Sequence, residues 1–505
     1  MRRSSLVLAA TSLAAFTATL DNTVVAVALR AMQQDLHVGV PALQGVVTGY
    51  TVALAALLLL GGGLVDVLGA KRVLLTGLVV FAAASGGCAV ARSAEALVAV
   101  RAVQGAGASL LLPGALAVLS VAYDESSARR RALGVWAAAG GFALVAGPVV
   151  GGLLVQAFGW QSVFWVNLPL CALVAAVVLR TPATPAAGGR LDRLGALLTC
   201  TVLGLLTYAV VLAGRHGWGT SVAVSLGLAL VAVVALVQVE KRPDPLLPGR
   251  LLRDRRFSGG ALGAFAASLA VFVLMVFVAL YLQLVQTSDA LEAGLLLLPL
   301  PGALIVVAPL AARREHVAVP VALGLALSGT GLLVLGVVLR TGTSHLTVCS
   351  LLALVGAGVG LTTAPVVSAA VDAAGTERTG LASATVNVAR ELGGVVAIAG
   401  LGALAVNRLL ARLTTVLIDA HTPHERLPGL LDVLLRGDSD ATQKALLKAG
   451  LPPDNLIRLG STLTDTAKAS FVTSTRVVLL VAGGFLLLTA AVSGRMLRGR
   501  APRSG

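Results

Sequence analysis

The stretch LVAVRAVQGAGASLLLPGAL, Leu97 to Leu116, reads as a helix made for lipid, yet it carries Arg101 near its start and Gln104 one turn on. A charge near the bilayer centre costs about 2.5–3.5 kcal/mol on insertion scales, so it persists only where protein or water receives it. Arg101, Gln104, Gly105 and Ala108 follow the i, i+3, i+4, i+7 spacing that puts them on one helix face. Gly105 and Ser109 add a small-xxx-small seam that lets a second backbone approach. Two readings stand. Arg101 faces a protein-lined polar site, or it snorkels to the headgroups from the helix end.

The rest of the chain makes lipid the right solvent to assume. Of 505 residues, 57% are hydrophobic and 12% charged, which fits a polytopic membrane protein. Runs long enough to span lie at roughly 6–29, 43–65, 73–91, 96–120, 132–155, 162–180, 194–213, 220–239, 259–286, 292–312, 317–339, 346–370, 381–407 and 471–494. That is fourteen, and the even number puts both termini on one side. The run opening MRRSSLVLAATSLAAFTATLDN continues past Asp21 to about Leu29, which predicts an uncleaved first helix.

The net charge of +15 does not imply nucleic acid, because the bases sit in short loops between apolar runs. Loops on the side of the termini hold 23 of the 38 basic residues and the short opposite loops only 4. This predicts a multi-pass membrane protein with both termini cytoplasmic. Trp160 and Trp218 fall at the predicted outer interface. Cys88, Cys171, Cys200 and Cys349 lie in or at the ends of apolar runs and read as small packing residues rather than metal ligands or disulfides. No Gly-Lys pair occurs, so the chain holds no Walker A loop for ATP.

Several motifs fall at defined places in this topology. GGLVDVLGAKRVLL (Gly62–Leu75) occupies the loop between spans two and three, GGFALVAGPVVGGLL (Gly140–Leu154) the fifth span, and LDNTVVAVALR (Leu20–Arg30) the first. ATVNVARELGGVVAIAG (Ala384–Gly400) lies in span thirteen. Together with LVAVRAVQGAGASLLLP they resemble the major facilitator superfamily, specifically its 14-helix drug:proton antiporters, over the whole length. The loop motif matches G-x-L-a-D-r-x-G-r-k at Gly62, Leu64, Asp66, Gly69 and Lys71, and departs at Val67 and Ala70. The resemblance implies a conformational-switch loop in which Asp66 caps or pairs across an interface that breaks and reforms.

The fourth-span pattern R-x-x-q-G-x-g implies a role for Arg101 in proton coupling. The fifth-span pattern G-P-x-x-G-G, at Gly147, Pro148, Gly151 and Gly152, implies a kinked, closely packed helix associated with export. In the first span, Ala26 and Arg30 replace the family's Asn and Pro. Asp21 is an acid in an apolar helix and so a candidate protonation site, a counter-charge for a cation, or a structural hydrogen-bonded group. Glu391 stands where the family commonly has Gln, one turn from Asn387. Either it pairs with Arg390, or it faces a cavity as a second site for a proton or cationic drug. Gln104, Tyr50, Asn387 and Arg390 are candidate cavity-lining residues, with Phe142, Tyr208, Phe272 and Phe277 as further aromatic candidates.

The fold expected is all-α: two six-helix bundles plus two inserted helices, fourteen transmembrane helices in all, with a cavity at the bundle interface. The divisions expected are 1–180, an insert with linkers at 181–258, and 259–505 with an extracytoplasmic loop at 408–470. That loop reads as two short amphipathic helices forming either a cap or a loosely ordered connection. The function expected is proton-coupled efflux of hydrophobic or cationic drugs or antibiotics. The alternative is export of an endogenous metabolite or peptide. No nucleophile–base pair or HExxH motif points to an enzyme. The working unit expected is a monomer in lipid, driven by the proton gradient, with no cofactor, metal or nucleic acid.

Overall fold

The computed structural model describes residues 2–36, 40–123, 125–181, 191–216, 219–239, 249–288, 290–311, 316–375, 378–401 and 453–498. Among these residues the secondary structure is helical, with no strand. The helices are α1 (Arg2–Leu36), α2 (Val40–Leu68), α3 (Ala70–Ala89), α4 (Ala94–Val121), α5 (Ser126–Phe158), α6 (Ser162–Trp165), α7 (Asn167–Leu179), α8 (Arg193–His216) and α9 (Thr220–Val239). They continue as α10 (Gly249–Arg253), α11 (Arg255–Val273), α12 (Ala290–Leu297), α13 (Pro299–Ala311), α14 (Ala318–Val338), α15 (His345–Ala374), α16 (Thr379–Val395) and α17 (Pro453–Leu497). Single π turns extend α11 at Leu274–Val278 and Tyr281–Val285, and α16 at Val396–Gly400.

Only structures that satisfy every backbone group internally can cross lipid, and long apolar helices do so. Thirteen described helices are long and apolar enough, and a fourteenth span is supplied by α5, whose two parts, Ser127–Leu144 and Val149–Phe158, meet at 48°. Pro148 lies in that break, although its side chain is outside the described residues. The first six spans pack as one bundle, α2 and α3 against α4 and α1 against α5 and α7. The last six form the second, with α15 contacting α11, α13 and α14, and α17 contacting α11 and α14. Helices α8 and α9 pair with each other, and α8 rests on α2. The bundles meet where α2 contacts α16 and α5 contacts α13.

One expectation changes. The last helix begins at Pro453 rather than near 471, so the C-terminal part of the expected 408–470 loop is helix continuous with the final span. The two amphipathic helices expected further upstream lie outside the described residues, as does Trp218. Trp160, in the turn between α5 and α6, is buried against protein, and its indole N–H donates to Asp35 Oδ2 at 2.8 Å.

Candidate functional site

Arg101 is fully buried, which removes the snorkelling alternative. Its Nη1 donates to Asp21 Oδ2 at 2.6 Å and to Gln104 Oε1 at 2.7 Å, and its Nε to the Val46 carbonyl at 3.4 Å. Asp21 is therefore not the unpartnered acid that its apolar helix suggests. Its Oδ1 also accepts from Gln104 Nε2 at 2.8 Å and Asn167 Nδ2 at 2.7 Å, and Ser85 Oγ accepts from the same two amides. One knot thus ties α1, α2, α3, α4 and α7 together in a region of about zero net charge. Arg101 Nη2 and Asn167 Oδ1 are left without a partner among the described residues. Ser85 carries no charge or motif weight that would single it out, whereas Asn167 sits in the run WQSVFWVNLPL (Trp160–Leu170) opening span six, a weaker match to the same family pattern.

Tyr50 separates this knot from the bundle interface. The Arg101 guanidinium lies 4.2 Å from the centroid of the Tyr50 ring, while the same residue lines a cavity of about 190 Å³ between the bundles. That cavity takes walls from α1, α2, α4 and α5 on one side and α11, α13, α15 and α16 on the other. Asn387, Arg390, Glu391, Phe272 and Trp136 line it, the last unmarked by any motif. Gln104 does not line it and belongs to the knot instead. Phe142 and Tyr208 are exposed on the outer surface, and Phe277 is packed in the core. Arg390 and Glu391 make no ion pair among the described residues, because neighbouring residues on a helix point in divergent directions.

The motifs of spans one and five are two halves of one contact. A Cβ at Gly147 would lie 1.9 Å from Thr23 Oγ1, and one at Gly151 would lie 3.2 Å from Val24 Cγ1. Gly152 meets nothing within 4 Å among the described residues and takes no part in the seam. Gly147→Val is expected to push α5 off α1 and cost about 1–3 kcal/mol by overpacking, read as a lower unfolding midpoint of the detergent-purified protein. Gly152→Ala, with open space, is expected to leave the midpoint unchanged.

On the face bearing the termini, the bundles are latched. Asp66 Oδ1 accepts from Gly380 N at 2.8 Å and Oδ2 from Leu381 N at 3.0 Å, at the first turn of α16. Here a carboxylate meets the free N–H groups and positive dipole end of a helix. Gly62 and Gly380 let the backbones touch, since a Cβ at Gly62 would lie 2.6 Å from the Gly380 carbonyl oxygen. Gly69 makes the turn into α3 at φ 88°, a left-handed conformation that favours glycine. Lys71 Nζ donates to the Leu179 carbonyl at 2.9 Å and to that of Thr181, holding the end of α7. Arg129 and Asp372 add an inter-bundle ion pair at 2.9 Å. Being partly exposed, that pair contributes about 0–1 kcal/mol, less than hydrogen bonds to a charged carboxylate at about 1.5–3. The cavity residues of α16, Asn387 to Glu391, lie six to ten residues beyond Leu381, about 9–15 Å along the helix.

The site thus combines two bundles, a cavity at their interface, an inter-bundle contact on one face and a buried acid–base knot beside the cavity. The Major Facilitator Superfamily model matches residues 11–398. The Methylenomycin A resistance protein of Streptomyces coelicolor is 37% identical over 392 residues, covering 76% of this chain and 82% of that protein. Multidrug resistance protein Stp of Mycobacterium tuberculosis is 32% identical over 489 residues, covering 95% of this chain and 90% of its own. The Tetracenomycin C resistance and export protein of Streptomyces glaucescens is 30% identical, covering 94% of this chain and 88% of its own. Among solved structures, the human organic anion transporter MFSD10 superposes with a TM-score of 0.59 at 15% identity, over 96% of this chain and 99% of that one, a likeness of fold. This chain belongs to the Major Facilitator Superfamily, a family of membrane transporters rather than enzymes.

Proposed function

We propose that the protein exports small-molecule drugs or antibiotics across the bacterial cytoplasmic membrane in exchange for protons, with both termini cytoplasmic. The observation that carries the reading is the Asp21–Arg101 knot, one aromatic ring away from the inter-bundle cavity. With Asp21 ionised, the pair is neutral and both carboxylate oxygens are hydrogen-bonded. A proton delivered to Asp21 leaves the guanidinium uncompensated in a low-dielectric site, an imbalance worth several kcal/mol. The two protonation states then favour different arrangements of α1, α4 and the Tyr50 wall, which biases access to the cavity. The names of the relatives, resistance and export proteins for antibiotics, support the substrate class.

The driving force is adequate. One pH unit supplies about 1.36 kcal/mol per proton, and 100 mV about 2.3 kcal/mol per charge. A second reading, export of an endogenous product, is favoured by relatives named for export, such as the Cephamycin export protein of Amycolatopsis lactamdurans. Vesicles containing the purified protein and an internal pH dye test the coupling: substrate added to energised vesicles should release protons. A resistance profile in a susceptible host then separates broad drug export from export of one compound. Substrate movement with no proton counterflow would overturn the antiport.

Arg101→Lys tests the geometry of the knot. A single ammonium cannot reproduce a fork that reaches Asp21, Gln104 and the Val46 carbonyl at once. Proton-driven efflux is expected to fall at least about ten-fold, the equivalent of losing one charged hydrogen bond of 1.5–3 kcal/mol, while substrate affinity stays near wild type. A collapse of affinity at unchanged proton-to-drug stoichiometry would place Arg101 in the substrate site instead.

A further inference from the structure

We propose that the inter-bundle cavity is built for zwitterionic molecules, carrying an amine and a carboxylate together, in preference to lipophilic monocations. The inference rests on the export reading and names the charge class of its substrate. The only charged side chains lining the cavity among the described residues are Arg390 and Glu391, so its formal net charge is zero. They are consecutive on α16 and diverge by about 100°, the helical step per residue. Among the described residues, neither makes a hydrogen bond or ion pair. The Arg390 guanidinium instead lies 5.7 Å from the centroid of the Trp136 ring, a cation–π contact that fixes its plane without using its N–H groups. An acid and a base thus stand side by side with their polar atoms open to the cavity.

Asp21 cannot add a negative charge for a cationic drug. Both of its oxygens are held by Arg101, Gln104 and Asn167, and Tyr50 stands between them and the cavity. The remaining polar lining is neutral, and includes Asn22, Asn387, Thr19, Thr23, Thr363 and Ser268. A monocation attracted by Glu391 is repelled at close range by Arg390. A carboxylate on Arg390 with an ammonium on Glu391 satisfies both groups, the first as a fork-to-carboxylate contact.

A matched charge series tests this: ampicillin (zwitterion), its methyl ester (monocation) and benzylpenicillin (the monoanion lacking the amine). Each is offered at neutral pH, both for equilibrium binding to the purified full-length chain and for uptake by inside-out vesicles. Wild type is expected to prefer ampicillin at least ten-fold over either singly charged compound in both assays. Arg390→Gln should remove the preference over the ester and Glu391→Gln the preference over benzylpenicillin, each leaving the other intact. Equal or better handling of the ester by wild type overturns the proposal and leaves export standing. Equal loss of all three compounds in both variants also overturns it. Selective ampicillin binding with no uptake supports the charge assignment and overturns the export reading. No binding of ampicillin overturns the charge assignment.

Discussion

Asp21→Asn is expected to abolish proton-driven efflux and to lower the stability of the folded protein by about 3–5 kcal/mol, the cost of leaving a buried charge without its partner. The carboxylate is fully buried, 2.6 Å from an equally buried guanidinium, so no solvent stands ready to replace it. Efflux in vesicles with an imposed pH gradient and the unfolding midpoint in detergent read the two effects. The double variant Asp21→Asn, Arg101→Gln separates them. It removes both charges and leaves polar amides on the knot, so much of the lost stability should return while proton coupling stays absent. Recovery of coupled efflux in the double variant would show that the pair is structural and that the proton binds elsewhere.

Gly380→Val is expected to prevent closure on the face bearing the termini. A Cβ there would lie 2.5 Å from the Gly62 carbonyl oxygen, 2.6 Å from Val65 Cβ and 2.7 Å from Asp66 Oδ1. Two of these atoms are backbone or β-carbon and cannot rotate away. Overpacking of this kind costs about 1–3 kcal/mol; on the proposed alternating-access reading, in which the contact opens during transport, that cost becomes a population shift of about 5–150-fold. A cysteine at Ala384, buried against Gly62 in the latched state, reports it in a background lacking the native cysteines. Labelling by a membrane-impermeant thiol reagent from the side of the termini should accelerate by that factor, and transport should fall with it. Unchanged labelling would mean that the Gly62–Gly380 contact does not control access. Asp66→Ala should act in the same direction and at least as strongly, since it removes two hydrogen bonds to a carboxylate, each of about 1.5–3 kcal/mol.

The spans were legible because hydropathy is a local property. The expected fourteen runs correspond to the thirteen candidate spans and the bent α5, and the motif-bearing loop fell between α2 and α3. The start of α17 was misplaced by about 18 residues because its first turns are too polar to read as membrane, although helix continues through them. Cavity aromatics were only partly legible. Tyr50 and Phe272 line the cavity, Phe142 and Tyr208 do not, and helical periodicity cannot tell a lipid face from a cavity face when both are apolar.

The sequence by itself determined that the chain is polytopic and helical, and that Arg101 must be received by something other than lipid. Those properties follow from transfer free energies summed over a contiguous window. Only the tertiary structure decided what receives it. Asp21, Gln104 and Asn167 form one knot across sequence separations of 80, 83 and 146 residues, and Asp66 finds the start of α16 at a separation of 314. Only the tertiary structure could show that Asp21 is paired while Arg390 and Glu391, adjacent in sequence, are not. An ion pair needs two side chains to point at one place, and in a helical bundle packing between helices sets that direction.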